Sequence, residues 1–416
     1  MFQFNAKKLD LKSTGTFEVI MHNDDAYELS LKSGDRVLVK GKTEFVAIVN
    51  TSSSFVQPGE VGFFKEIENT QAEFGDTVRL TPISLPDSLK FIKKRLYGDH
   101  LSASEIRTII EDVVNGHLLD SEISFFISSE YVHHFSMEET NALTRATIET
   151  GSIMDLRVPT IDKHCIGGVP GNRTSPLVVP IVCAAGLVMP KLSSRAITSP
   201  AGTSDTMEVL ANVTYPIDDV ERIVKKTGGC LIWGGAVNIA PADDILSRAR
   251  YSLRLDPTAF LLASIMAKKK AVGSDHVLID IPMGKGAKYE TLDQANALAD
   301  KFIELGTYLD MEVAVVLTPG DRPIGKGIGP ALEARDIMEI LYGAGPDDLR
   351  EKSLSLAGSI LELGGKATKG NGYGIAKQLL ESGKALDKMK EILSAQEGNP
   401  EIKPEEIPLG QHLLGR

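Results

Sequence analysis

From about residue 153 onward the chain alternates short apolar stretches with glycine-containing loops and helical segments, and this alternation constrains the fold more than any other feature. The strand candidates are Pro159–Ile166, Leu187–Ser193, Cys230–Trp233, His276–Ile281 and Val313–Thr318. Strands separated by helical crossovers pack as an α/β sheet, and such sheets take their ligands at the loops that follow the strands. Chemistry is therefore expected at those loops.

The first, DKHCIGGVPGNRTS at residues 162–175, gathers a lysine, a histidine, a cysteine and an arginine around its glycines. It is no Walker A loop: counting from Gly167, the second glycine position holds Asn172, followed by Arg173 and Thr174. A dinucleotide-type G-x-G-x-x-G fails too, since the glycines fall at 167, 168 and 171. A Cys-His nucleophile is disfavoured, because neighbours on a strand point to opposite faces and His164 is then badly placed to deprotonate Cys165. Two readings stay open for the stretch alone. It is either a turn with a hydrogen-bonded His164 and a small core Cys165, or a strand, glycine turn and helix start at Ser175-Pro176 that holds an anion.

The second loop, within KLSSRAITSPAGTSDTMEVL at residues 191–210, repeats that design, with Thr203 or Ser204 placed to cap the next helix. Two such loops can aim backbone N–H groups, the hydroxyls of Ser193, Ser194 and Thr203, and the cations Lys163 and Arg195 at one anion. Each charge-assisted hydrogen bond contributes about 1.5–3 kcal/mol, so a few suffice to hold a phosphate.

Ahead of these loops the pattern differs. Residues 1–85 read as short strands, Phe17–Met21, Arg36–Lys40, Phe45–Asn50, Val61–Ile67 and Thr77–Leu80, which predicts a small N-terminal β domain. Pro82 and Pro86 bracket its boundary. Residues 86–150 then show helical periodicity, with Ile106, Ile109, Ile110, Val113 and Val114 on one face and capping boxes at Ser102…Glu105 and Ser136…Glu139. The helical lobe is expected to take in 242–275 as well, leaving 151–241 as the phosphate-binding part of an α/β lobe and 276–416 as its remainder.

The formal net charge of -11 argues against broad capture of nucleic acid or anionic lipid. Three cysteines without a C-x-x-C pair, and histidines without an H-x-x-x-H pattern, point to neither a disulfide framework nor a zinc site. The N-terminus has no signal-peptide h-region, and the longest apolar run, Leu177–Met189, is broken by Pro180, so a cytoplasmic location is expected.

Five stretches, DKHCIGGVPGNRT, SSRAITSPAGTSDTMEVLA, WGGAVNIAPADD, LDPTAFLLASIMAKKKAVGS and IGKGIGPALEAR, resemble the thymidine phosphorylase family, and more closely its archaeal AMP phosphorylase branch. The resemblance spans nearly the whole chain. It implies an α/β fold with a mixed-sheet α/β lobe and a helical lobe, to which this branch adds the N-terminal β domain. It also implies a glycosyltransferase of nucleotide catabolism: AMP and phosphate would give adenine and ribose 1,5-bisphosphate, with CMP and UMP as further substrates. Inorganic phosphate is then the co-substrate, no organic cofactor or metal is required, and a homodimer or higher homo-oligomer is expected.

Carried over by motif, Gly168, the run Ser194-Arg195-Ala196-Ile197-Thr198-Ser199, Thr203, Ser264 and Lys288 would bind nucleotide or phosphate, and Asp256 would be the proton donor. Lys163, His164, Ser194 and Thr203 would surround the attacking phosphate, with Lys268 near the base. Cleaving an N-glycosidic bond builds positive charge on the ribose and negative charge on the base, so a phosphate beneath the sugar and an acid at the base suit the reaction.

Several residues also have blander readings. Asp256-Pro257 before a helical run reads as an N-cap with proline at N1. Lys268 sits in a lysine run that suits a solvated helix end, and Lys288 reads as a surface lysine. Cys165 stands where relatives commonly carry a serine, and a thiol is a weaker donor. Relatives continue beyond PEEIPLG into a further domain that this chain is expected to lack, with consequences for assembly or stability rather than chemistry. The alternatives are a pyrimidine nucleoside phosphorylase acting on thymidine or uridine, a phosphoribosyltransferase using Mg²⁺ and pyrophosphate, and a non-catalytic nucleotide-binding protein.

Overall fold

In the computed structural model, which describes residues 2–12, 17–65, 67, 75–196, 201–251 and 256–408, the chain divides into two compact units. One comprises Met1–Thr150 with Pro241–Ala263, the other Gly151–Ala240 with Ser264–Arg416. The helices are α1 (Asn23–Glu28), α2 (Ser88–Leu96), α3 (Ala103–Val114), α4 (Asp120–His133), α5 (Met137–Glu149), α6 (Ser175–Ala184), α7 (Thr203–Glu208), α8 (Ile217–Thr227), α9 (Pro241–Tyr251), α10 (Thr258–Ala271), α11 (Leu292–Tyr308), α12 (Pro330–Leu341), α13 (Asp347–Leu363), α14 (Gly372–Glu381) and α15 (Lys384–Ala395).

The first unit opens with strands β1 (Phe2–Lys8), β2 (Glu18–His22), β3 (Arg36–Lys40), β4 (Glu44–Ser52), β5 (Glu60–Phe63) and β6 (Thr77–Ile83). They close into a barrel in the order β1-β5-β2-β4-β3-β6, with β1 parallel to β5 and β2 parallel to β4. Alternate residues of β3 and β4, Val37, Val39, Ala47 and Val49, turn into the barrel core with Val19, Met21 and Phe63. Strand β1 escapes the sequence because only Phe4 of its seven residues is buried, so no apolar alternation marks it. The expected strand Val61–Ile67 ends at Phe63. Pro82 lies inside β6 rather than at a boundary. It faces Val37 of β3, beyond the point where β1 pairing ends at Leu80, so its missing N–H removes no second ladder.

Helices α2, α5 and α9 of this unit pack against α3, and α4 packs against α2 and α9. Both expected capping boxes form: Ser102 Oγ accepts from the Glu105 N–H while the Glu105 carboxylate accepts from the Ser102 N–H, and Ser136 and Glu139 do the same. Ile106, Ile109, Ile110 and Val113 are buried with Phe126, Leu143 and Phe260. Val114, expected on that face, is only half-buried, because one more step of helical rotation carries it to the edge of the stripe.

The second unit contains β7 (Ile161–Cys165), β8 (Met189–Ser193), β9 (Gly229–Trp233), β10 (His276–Met283) and β11 (Glu312–Pro319). All five expected strands are present, within two residues at their ends. They form a three-stranded sheet, β11-β10-β7, and a two-stranded sheet, β8-β9, in which every pair is parallel. Helix α6 has Pro176 in its first turn and is buried from Ser175 to Cys183, in one core with residues of α12, α13 and α15. No helix of the described residues is long and apolar enough to cross a membrane.

Arg173, just before α6, is buried and ties the first glycine loop to a second one. Its Nη1 donates to the Gly171 carbonyl at 3.2 Å, and its Nη2 donates to the Gly327 carbonyl at 2.9 Å and to Asp336 of α12. Asp336 also accepts the N–H groups of Lys326 and Gly327, both at 2.8 Å. The RPIGKGIGP segment is thus a strut beneath the 166–173 loop. Asp336→Ala leaves Arg173 buried without its main counter-charge, and a loss of about 3–5 kcal/mol is expected. Heat or urea unfolding reads it; an unchanged midpoint would show the strut to be idle.

Candidate active site

Strand β7 sends Asp162 and His164 to one face and Lys163 and Cys165 to the other, as the pleat requires. Asp162 is fully buried and accepts from Lys269 Nζ of α10 at 2.7 Å, from Lys191 Nζ of β8 at 3.3 Å and from the Lys163 N–H at 2.6 Å. Burial alone would raise this carboxyl, but the two ammonium groups hold it below the ordinary range. Lys269 is also lowered, to about 7, because desolvation outweighs its carboxylate partner.

His164 sits beside this network. Desolvation, reinforced by the charges of Lys269, Lys191, Lys268 and Lys163, holds it well below its ordinary value of 6.5. It is therefore neutral at pH 7, able to donate or accept a hydrogen bond without adding charge.

On the opposite face Lys163 Nζ is buried and donates to Thr174 Oγ1 at 2.6 Å. Cys165 Sγ accepts from Asn172 Nδ2 at 2.8 Å, and burial pushes the thiol up to about 11. A protonated thiol with its sulfur engaged by an amide is no nucleophile, so the Cys-His reading fails on chemistry as well as on geometry.

The glycine loop brings two expected residues together. Gly168 has φ of 92°, and a Cβ there would lie 3.2 Å from the backbone nitrogen of Lys288. Only glycine suits both that backbone conformation and that approach.

The second loop is closed by a carboxylate. Asp205 Oδ2 accepts the N–H groups of Ala196 and Gly202 at 2.7 and 2.8 Å, and a Cβ on Gly202 would strike the Ser194 carbonyl. The helix cap here is Gly202, not Thr203 or Ser204 as the sequence suggested. Thr203 is the first residue of α7, and buried Ser204 bonds Ser193 Oγ at 2.8 Å instead. Ser194 and Ala196 are exposed, while Ile197, Thr198 and Ser199 lie outside the described residues. Arg195, expected to face an anion, is bidentate to Glu208 at 2.5 and 2.6 Å, 3.4 Å from Asp205, and stacked over Trp233. Its charge serves the loop in this state.

Asp256 belongs to the first unit. It is one-third exposed, with Oδ1 3.5 Å from Nη1 of the buried Arg250. Helix α10 begins at Thr258, where Pro257 supplies the carbonyl that accepts from Leu261 at 3.0 Å and the Ala259 N–H donates to Glu130 Oε1 at 3.2 Å. Arg250 also reaches Ser247 Oγ at 2.8 Å and lies over Phe260. Ser264 and Lys268, half-buried one turn apart on α10, belong to the second unit, where Lys268 is among the charges acting on His164.

Sequence reasoning missed Asp162, Lys191, Lys269, Asp280 and Lys352, which form the buried charge networks. The available signal was a charged residue inside an otherwise apolar strand, as in LIDIP and PKLS, since such residues are rarely buried unless paired. No group of His, Cys, Asp and Glu among the described residues could hold a metal ion.

Below pH 6.5 an unfolded histidine takes a proton that folded His164 refuses, so the stability of this unit falls as the pH drops through that window. His164→Asn removes the dependence, and the stability advantage of the native chain over the variant is expected to shrink between about pH 7.5 and 5.5. Thermal midpoints in matched buffers test this; a constant gap would refute it.

Comparison with known proteins adds the following. The model of the glycosyl transferase family a/b domain matches residues 157–386, and that of the helical bundle domain of the same family matches residues 89–151. The AMP phosphorylase of Thermococcus kodakarensis is 49% identical over 405 residues, covering 97% of this chain and 80% of that protein. Those of Pyrococcus horikoshii and Methanococcus aeolicus are 52% and 45% identical, covering 95% and 98% of this chain and 80% and 81% of theirs. The crystal structure of anthranilate phosphoribosyltransferase from Thermus thermophilus shares the fold, with a TM-score of 0.63 over 74% of this chain and 99% of that one at 19% identity.

Proposed function

The chain belongs to the glycosyl transferase family that includes the archaeal AMP phosphorylases, and from that membership we propose that it cleaves AMP by phosphorolysis to adenine and ribose 1,5-bisphosphate. CMP and UMP are proposed as further substrates. The observation that carries the reading is the lysine cluster around neutral His164 at the head of a glycine loop.

In the proposed reaction a phosphate oxygen attacks C1′ of the ribose as the N-glycosidic bond breaks, and the base leaves with a proton. Lys163, His164, Ser194 and Thr203 are assigned to the attacking phosphate, with Gly168 and Lys288 on the glycine-loop side. A neutral His164 suits this task, because it hydrogen-bonds an anion without pairing to a carboxylate. Ser264, Lys268 and the 194–199 run are assigned to the nucleotide, and Asp256 to the proton delivered to the base. For Arg195 the assignment requires an exchange of partners, from Glu208 to a nucleotide oxygen. No cofactor beyond inorganic phosphate is required. A cytoplasmic, homo-oligomeric enzyme is proposed; the three unpaired cysteines suit a reducing compartment.

The deciding assay follows phosphate-dependent release of the free base from AMP, CMP and UMP, with ribose 1,5-bisphosphate as the second product, against adenosine, thymidine and uridine, which would give a pentose 1-phosphate, with and without Mg²⁺. Phosphate-dependent product from the monophosphates alone, indifferent to Mg²⁺, supports the reading; product only from nucleosides transfers it to a nucleoside phosphorylase. Asp256→Asn is expected to lower kcat by roughly 10²–10⁴-fold while AMP still binds. Unchanged turnover in this variant would remove Asp256 as the acid.

A further inference from the structure

Asp280 of β10 is fully buried on the face of β7 that carries Lys163 and Cys165. Its Oδ1 accepts from Thr318 Oγ1 at 2.5 Å, and its Oδ2 lies 3.4 Å from Nζ of Lys352, on α13. The Lys352 side chain is only 8% exposed. Among the described residues neither that oxygen nor that ammonium has a hydrogen-bond partner. Burial lowers Lys163 from its ordinary value, Asp280 opposes that shift and Lys352 adds to it. Asp280 and Lys352 also act on Cys165, so the groups form one cluster.

The cluster buries two lysines against one carboxylate. An uncompensated buried charge is costly, so this excess suits a site that an anion completes. Asp280 is the carboxylate that would otherwise compete for the Lys163 ammonium. Lys163 is instead turned to Thr174, at the end of the glycine loop, while Lys352 stands against Asp280.

We propose that Lys352 is a positioning residue which, by pairing with Asp280, keeps the Lys163 ammonium available to the attacking phosphate; this rests on the phosphorolysis reading above. Lys352 acts through Asp280 and does not touch the substrate. Its contribution gains weight beside Cys165, whose thiol is a weak donor.

The test uses the full chain, with inorganic phosphate titrated calorimetrically and initial rates measured against phosphate and AMP separately. K352M is expected to weaken phosphate binding, and to raise the KM for phosphate, by roughly tenfold or more, the scale of one charge-assisted contact. The KM for AMP stays close to that of the native chain. K352R, which keeps the charge, restores most of the phosphate affinity. D280N/K352M, which removes the competing carboxylate with its counter-charge, restores it as well.

K352M with native phosphate affinity overturns the inference, and so does an equal loss for AMP and phosphate, the mark of a merely structural lysine. Should K352M not fold, D280N/K352M decides: near-native phosphate affinity upholds the inference and poor affinity overturns it. A native chain that binds phosphate but leaves AMP intact overturns the proposed reaction while the calorimetric comparison still judges Lys352. A native chain that binds no phosphate overturns both.

Discussion

One buried carboxylate between two ammonium groups, Asp162 with Lys191 and Lys269, holds the site together. β7 is an edge strand, paired with β10 on one side only. Its outward backbone groups would be left without partners in a buried position, a costly state. The network supplies them: the Lys163 N–H donates to Asp162 Oδ1, and the Lys163 carbonyl accepts from Lys191 Nζ at 2.6 Å. The same side chains thus substitute for a missing neighbouring strand, join β7 to β8 and α10, and set the charge beside His164. Removing Asp162 alone would strand two buried cations.

The consequence is a strongly local field in an acidic protein. The net charge of -11 belongs to the chain as a whole, whereas the surroundings of β7 are rich in lysine on both faces. Lys191, Lys268 and Lys269 lie on the His164 side, and Lys163 and Lys352 on the other. A local excess of cations in a poorly hydrated place favours an anion far more than the same charges in water. Arg195 is the counter-example, since Glu208 and Asp205 already balance it and its work is to shape the second loop.

What the sequence disclosed followed the range of the interactions. The five strands of the second unit were legible because each is a continuous apolar run, and the capping boxes because their partners are three residues apart. Strand β1 was not, having a single buried residue. The cap of α7 was misplaced because Asp205, rather than a hydroxyl, closes the loop onto Gly202. At the site, Lys163, His164 and Gly168 stood out through a local motif, while Lys269 did not. Its partner Asp162 lies 107 residues away, and a run of three lysines gives no sign of which one turns inward.

Cys165 helps to shape the glycine loop. With its thiol pushed up to about 11 and its sulfur accepting from Asn172, it holds the far side of the glycine loop rather than attacking or ionising. Arg173, bonded to Gly171, Gly327 and Asp336, anchors the same loop one residue further on. The turn through Gly167, Gly168 and Gly171 is therefore fixed at both ends, and its backbone N–H groups are ordered before any ligand arrives. Preorganised backbone donors lose little on binding and need not rearrange as charge develops. A site of this kind draws on backbone dipoles and buried ammonium charge that the fold itself keeps in place, and does not depend on any single side-chain donor.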